Sequence, residues 1–218
     1  MVCVALIPAR GGSKEIPKKN IKNFCGKPLI YWSIKTALEN KNIDRVIVST
    51  DSEEIADIAR GFSAEVPFIR PSALAKDDTP GIETIFHALE EIPSIKDVLL
   101  MQPTSPLRRN EDINEIFKIR KKYNAESAIS LNSCTKHPNL IYKLQDTQLI
   151  KPLIKNSEIL NRQEMKTYYT INGALYLSTK KIILEKKSLV HNETIGYVMP
   201  QKYSVDIDSQ LDWEFAEL

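Results

Sequence analysis

Five short apolar runs, set between stretches with helical periodicity, most constrain what this chain can fold into. VCVALIP (2–8), RVIVST (45–50), EVPFI (65–69), DVLLMQ (97–102) and SAISLN (127–132) lack the regular polar alternation of a half-solvated strand. Strands covered on both faces read this way. Pro28 opens a helical stretch with Ile30, Ile34, Ala37 and Leu38 on one face. Asp51 with Glu54 gives a capping-box-like start to a second helix ending near Gly61, and 81–91 and 111–123 read as two more. Strands alternating with helices predict an α/β sandwich around a parallel sheet with right-handed crossovers. Ligands of such sheets bind beyond the carboxyl ends of the strands. Three unusual segments follow strands at that end: PARGGSK, STDS and QPTSPLR.

The rhythm changes after Ser133. Residues 133–169 are polar, carry Pro138 and Pro152, and have no clean helical period. They predict a hairpin-rich arm inserted into a single domain spanning 1–218. TINGALYLS (170–178) and GYVMP (196–200) return as strands, and DIDSQLDWEFAEL runs from a turn into a short amphipathic helix.

Charge is balanced, with 30 basic and 28 acidic residues, so the total points to neither a nucleic-acid nor a membrane partner. Local clusters carry the information instead. Three scattered cysteines, Cys3, Cys25 and Cys134, form no paired metal-ligand spacing and fit a reducing, cytoplasmic setting. No apolar run approaches the roughly 20 residues that span a bilayer. His87, His137 and His191 have no zinc-like spacing, and His87 reads as packed within its helix.

The loop after the first strand, ARGGSKEIPKKNIK, is the sharpest signal. Gly11 and Gly12 permit a tight turn that presents N–H groups, and Arg10 and Lys14 supply phosphate-binding cations, with Lys18, Lys19 and Lys22 nearby. A solvated basic loop is the plain alternative. The preceding buried strand and the glycines favour an anion site. The loop is neither a P-loop nor a dinucleotide fingerprint, since GxxxxGK[ST] and GxGxxG are absent.

In QPTSPLR (102–108), Gln102 can read a base or sugar edge, and Thr104 and Ser105 offer hydroxyls, while an ordinary strand-to-helix turn would look similar. RPSALAKDDT (70–79) places Arg70 before Asp77 and Asp78. It is either a surface loop with capping aspartates or one wall of a nucleotide pocket. In VDIDSQLD (205–212), Asp206 and Asp208 share a face of an extended segment, an arrangement that suits Mg²⁺ completed by phosphate oxygens. A helix N-cap at Asp208 or Ser209 is the alternative use. Phosphate loop and carboxylate pair together favour a metal–nucleotide site.

In combination the motifs are more specific. IPARGGSKEIPKKNIK, GKPLIYWSI, VIVSTDSEEIADIA, RPSALAKDDT, LLMQPTSPLR, LNRQEM, INGALYL and VDIDSQLDW occur in this order. The chain thereby resembles the acylneuraminate cytidylyltransferases, the CMP-sialic and CMP-nonulosonic acid synthetases, from Val4 to Glu217. The resemblance implies a Rossmann-like nucleotidyltransferase fold, a mostly parallel sheet flanked by helices, with 133–169 as a dimerisation arm. It implies transfer of CMP from CTP to the anomeric hydroxyl of a nonulosonic acid, with release of pyrophosphate (a nucleotidyltransferase of class EC 2.7.7). It implies Mg²⁺, a homodimer and a place in cell-surface glycan biosynthesis.

Carried over by position, Arg10, Lys14, Lys19 and Asp208 are the catalytic group. Gly11, Gly12, Ser13, Asn20, Arg70 and Asp78 join Arg10, Lys14 and Lys19 around the nucleotide. Gln102, Arg162, Gln163, Asn172 and Tyr176 face the sugar acid, with Arg162 serving the neighbouring subunit, and Asp206 and Asp208 hold the metal. One departure stands out: the family has glycine after SK, and this chain has Glu15. A carboxylate there opposes triphosphate binding unless it faces away or pairs with Lys18 or Lys19, and it is strained if the position needs a positive φ. Two alternatives follow. One is another sugar nucleotidyltransferase, of the CMP-KDO type. The other is a catalytically weak nucleotide- or sugar-binding protein, motivated by Glu15 alone.

Overall fold

The computed structural model describes residues 2–154 and 166–218. Ten strands and six α-helices are formed among them. The central sheet has six strands: β1 (Val2–Pro8), β4 (Arg45–Ser49), β5 (Ile95–Leu100), β6 (Ser127–Ser133), β9 (Tyr169–Thr179) and β10 (Ile195–Val198). Their order is β10-β6-β9-β5-β1-β4. β1 pairs parallel with both β4 and β5, and β10 pairs parallel with β6.

The apolar run of β1 is buried on both faces, as its composition requires. Cys3, Ala5 and Ile7 join a core beneath α1 (Leu29–Leu38), α2 (Glu53–Gly61) and α4 (Asn110–Lys122). Val4 and Leu6 join a second core beneath α3 (Gly81–Glu91), with Ile183 of α5 (Lys180–Lys186). His87 packs edge-on against Phe68, 4.8 Å between ring centres. Among the described residues no helix is long and apolar enough to cross a membrane.

Three expectations are corrected. β9 runs antiparallel to both β5 and β6. Among the described residues between β6 and β9 there is no α-helix to carry a crossover, in keeping with the antiparallel return. EVPFI forms no strand of the sheet. Only Glu65 bridges to Ile47, and Pro67 has no N–H to extend a ladder. The α2 cap is Ser52, whose Oγ accepts from the Ile55 N–H at 3.4 Å, and not Asp51.

Between β6 and β9 lies a small hairpin, β7 (Tyr142–Leu144) and β8 (Ile150–Pro152). All six of its strand residues are exposed.

The last element, α6 (Gln210–Glu217), returns to the basic loop. Between β2 (Asn23–Phe24) and β3 (Lys27–Pro28), Cys25 and Gly26 both take positive φ, which turns the chain in two residues. That turn brings Phe24 edge-on to Trp213 at 5.3 Å. Ile16, Leu29, Ile207 and Ala216 complete this third cluster. Ser209 caps α6 through a capping box with Asp212. The extended stretch ahead of it, with Asp206 and Asp208, is thereby pinned against Lys19.

Candidate active site

A cleft of about 460 Å³ opens at the carboxyl ends of β1 and β5. Arg10, Gly12, Ser13, Lys19 and Asn20 line one side, Gln102 and Thr104 the floor, and Asp206 and Asp208 the other. Arg70, Thr79 and Asp77 close it from the segment before α3. Residues as far apart as 10 and 208 therefore meet in one cavity.

The basic loop is rigid where it touches the core. Buried Asn20 donates from Nδ2 to the Arg10 carbonyl at 3.0 Å. The Lys19 ammonium, its side chain only 14% exposed, donates to the Ile207 carbonyl at 2.7 Å and lies 3.5 Å from Asp208. Lys18 carries the positive φ of this loop and pairs with Glu54 at 2.7 Å. Lys14 is 75% exposed, outside the cleft lining, and pairs with Asp77 at 2.6 Å. Arg10 pairs with the same carboxylate. These two cations, Lys14 first, hold the Asp77 carboxyl below its usual range.

The two glycines divide their work. Gly11 donates its N–H to Asp51 Oδ1 at 2.9 Å, and a Cβ there would sit 3.2 Å from Ser52 Cβ. That donor, expected to face an anion, is held by Asp51 in the free protein, and the contact docks the loop onto the start of α2. Gly12 has open space around it and lines the cleft.

On the floor, Asp206 is half-buried and its Oδ1 has no hydrogen-bond partner. Burial pushes its carboxyl up, against the pull of the Thr104 hydroxyl; Asp208 adds to the rise. Asp208 is 79% exposed. A buried carboxylate oxygen without a partner, beside a second carboxylate and a phosphate-type loop, fits a hard divalent cation. Among the described residues no group of three or more His, Cys, Asp or Glu could hold a metal, so this pair would need oxygens from a bound phosphate to complete a shell.

Arg70 is buried, donates from Nη1 to Thr84 Oγ1 at 2.7 Å and leaves Nε unpartnered. Burial lowers its pKa. Asp78 does not line the cleft; its neighbour Asp77 does. Ser105 is fully buried and does not reach the cavity.

Two residues expected on the sugar side are used otherwise. Buried Asn172 has its Oδ1 taken by the Ser130 hydroxyl at 2.6 Å and the Ala174 N–H at 3.2 Å. Tyr176 packs with the second core and does not line the cavity; burial first, then Asp206, pushes its phenol up. Arg162 and Gln163 lie outside the described residues. Glu15 is exposed, has no positive φ and does not line the cleft, while Lys18 and Lys19 are paired elsewhere.

Sequence reasoning missed Arg108. It is buried and donates from Nη1 to the carbonyls of Ala174 (2.7 Å) and Gln102 (3.2 Å), and from Nη2 to Ser33 Oγ (2.6 Å). Burial pushes it down to about 9. The available signal was an arginine three residues past a strand-end Thr-Ser pair, in a loop stiffened by two prolines.

The family model described as cytidylyltransferase matches residues 4–211. The chain is 36% identical to a CMP-N,N'-diacetyllegionaminic acid synthase of Legionella pneumophila, covering all of this chain and 95% of that protein. It is 31% identical to a pseudaminic acid cytidylyltransferase of Campylobacter jejuni, covering 99% and 94%. It is 31% identical to the N-acylneuraminate cytidylyltransferase of Streptococcus agalactiae, of whose length it spans about half, 51%. Among solved structures, a CMP:2-keto-3-deoxy-manno-octonic acid synthetase complexed with CTP superposes with a TM-score of 0.73 at 16% identity, covering 100% of this chain and 97% of that one. At that identity it speaks to the fold alone.

Proposed function

The chain belongs to the cytidylyltransferase family, and from that premise we propose that it transfers CMP from CTP to a nonulosonic acid. The observation that carries this reading is the meeting of a basic loop and a carboxylate pair in one cleft at the strand ends. The relatives of matching length act, by their names, on legionaminic and pseudaminic acids, which sets the substrate class.

The chemistry is an in-line displacement. The anomeric oxygen forms a bond to the α-phosphorus, the bond from that phosphorus to the bridging oxygen breaks, and the hydroxyl proton goes to solvent. Such steps depend mainly on positioning and charge stabilisation. Arg10 and Lys14 exchange Asp77 for the β- and γ-phosphates and stabilise the departing pyrophosphate. Lys19, fixed by the Ile207 carbonyl, holds its charge at the boundary between phosphates and carboxylates. Asp206 and Asp208 are the pair that would hold Mg²⁺, which neutralises charge on the transferring and leaving groups when bound. Gln102 presents its amide to the sugar or base, and Arg162 and Gln163 serve the sugar carboxylate.

The hairpin supports a homodimer. Leu144, Leu149, Ile150 and Leu153 are each more than half exposed, an apolar patch whose burial a second copy would supply. Three free cysteines accord with a cytoplasmic enzyme. Glu15 does not line the cleft and has no positive φ, which favours the enzymatic reading over the binding-protein alternative.

The test is pyrophosphate release with CTP and Mg²⁺ across N-acetylneuraminic, legionaminic and pseudaminic acids and KDO, with ATP and UTP as controls. Release with CTP and one nine-carbon acid is expected. Release with KDO alone would move the chain to the eight-carbon branch. CTP binding without release from any acid would overturn the enzymatic reading.

A further inference from the structure

β6 and β9 pair with a three-residue shift between Ile129↔Tyr176 and Leu131↔Ile171. One residue of β6, Ser130, faces four of β9, residues 172–175. The bulge is held at three points. The Ser130 hydroxyl donates to Asn172 Oδ1 at 2.6 Å and accepts from the Leu175 N–H at 2.8 Å. Asn172 Oδ1 also accepts from the Ala174 N–H. Arg108 ties the Ala174 carbonyl to the Gln102 carbonyl. Bulges re-aim the chain beside functional sites, and this one lifts Gly173 out of the ladder at φ +76°. A Cβ built at Gly173 would lie 2.6 Å from Gln102 Oε1 and 3.3 Å from Asp206 Oδ2. A side chain at 173 would be strained by the positive φ and would have to push the end of the Gln102 side chain aside.

We propose that Gly173 is a positioning residue. Its bare Cα, presented by the Ser130–Asn172–Arg108 staple, lets the Gln102 amide and the Asp206 carboxylate converge on the cleft floor, and so fixes where the sugar-reading group stands relative to the cation-holding group. The roles given to Gln102 and Asp206 rest on the reaction proposed above; the convergence itself rests only on geometry. Gln102 is the nearer neighbour and takes the larger displacement if 173 gains a methyl.

The test is a cycle of Gly173→Ala, Gln102→Ala and the double variant, with steady-state kinetics in both substrates. Gly173→Ala is expected to lower kcat/KM for the sugar acid by about 10–100-fold, as a misplacement of about 1 Å does. In the Gln102→Ala background the same change is expected to cost less than about 3-fold, because the displaced amide is gone. Equal cost in both backgrounds would mean backbone strain alone and would overturn the proposal. A readout without turnover runs alongside. The side-chain amide NMR signals of Gln102, identified by their loss in Gln102→Ala, are expected to shift in Gly173→Ala. Unmoved signals would overturn the proposal whether or not any sugar acid reacts, whereas a wild-type chain inert to every acid would count against the reaction alone. Should Gly173→Ala fail to fold, folding of the double variant decides: rescue supports the clash with Gln102, and continued failure refutes it.

Discussion

On the floor of the cleft and beneath it, Asp206, Arg70 and Arg108 are ionisable groups drawn out of water, and each keeps one atom without a partner. On the rim, Lys14 and Asp77 are exposed, Arg10 is half-buried, and the three are satisfied by one another. The floor holds charge at a cost to the free protein, since a buried unpartnered polar atom destabilises by about 1–3 kcal/mol. The rim holds charge almost without consequence for the fold, because exposed ion pairs contribute little. Asp77 pairs with the two cations that the proposed reaction assigns to phosphate, so the rim of the free protein holds an internal anion. On the floor, Lys19 lies 3.5 Å from Asp208, while Asp206 Oδ1 keeps no partner.

The largest effect should come from the floor. Asp206→Asn should lower kcat by about 10²–10³-fold, the scale of several kcal/mol of charge stabilisation. The same variant should raise Tm in the absence of divalent cations, by about 2–4 °C if roughly 1 kcal/mol of burial cost is relieved. A loss of both activity and stability would break the contrast between the two walls.

The sign of the pH dependence follows from the same group. The Asp206 carboxyl is raised above its unfolded value, mainly by burial. The folded state therefore binds the extra proton, and stability present below the unfolded value is lost as pH rises through the folded one. The Tm advantage of Asp206→Asn should widen over that rise and vanish below it. A constant difference would place the effect in packing instead.

On the rim, Arg10→Ala should raise the KM for CTP by about 10-fold, the size of one charge-assisted phosphate contact of roughly 1.5 kcal/mol. Smallest of all, Asp77→Asn should lower the KM for CTP by about 2- to 5-fold at low salt and steepen its rise with salt, because the competing anion is gone and the attraction left to be screened is larger. An increase in KM would mean that Asp77 contacts the nucleotide instead of giving way to it.

The rim was easier to read in sequence than the floor, for a physical reason. Arg10, Lys14 and Lys19 announce themselves by local density after a buried strand. The partners that decide their geometry lie far off: Asp51 takes the Gly11 N–H from 40 positions away. The Asp206 and Asp208 pair was legible because its spacing of two is local. The β6–β9 bulge was not, since INGALYL reads as an ordinary strand and strand direction leaves no mark on composition. Asn172 was placed on the sugar side by the resemblance alone, and position in a motif does not show that its Oδ1 is taken by Ser130 and Ala174. Arg108 was hidden because burial of an arginine depends on three acceptors from separate segments. The α2 cap slipped by one residue between two capable neighbours, Asp51 and Ser52, as caps commonly do.

The cluster of Phe24, Leu29, Ile207 and Trp213 also has a temporal consequence. The Lys19–Asp208 contact closes a loop of 189 positions, so it carries about the largest closure entropy the chain can offer and belongs among the last contacts to form. A chain emerging residue by residue acquires its basic loop and the β1, β4 and β5 strands well before the segment that answers Lys19. The loop is in place early, but the carboxylate side of the cleft is assembled only when α6 docks on Phe24. Competence for the reaction thus arrives in one late step, and docking of α6, followed by the emission of Trp213 during refolding, should coincide with the appearance of activity.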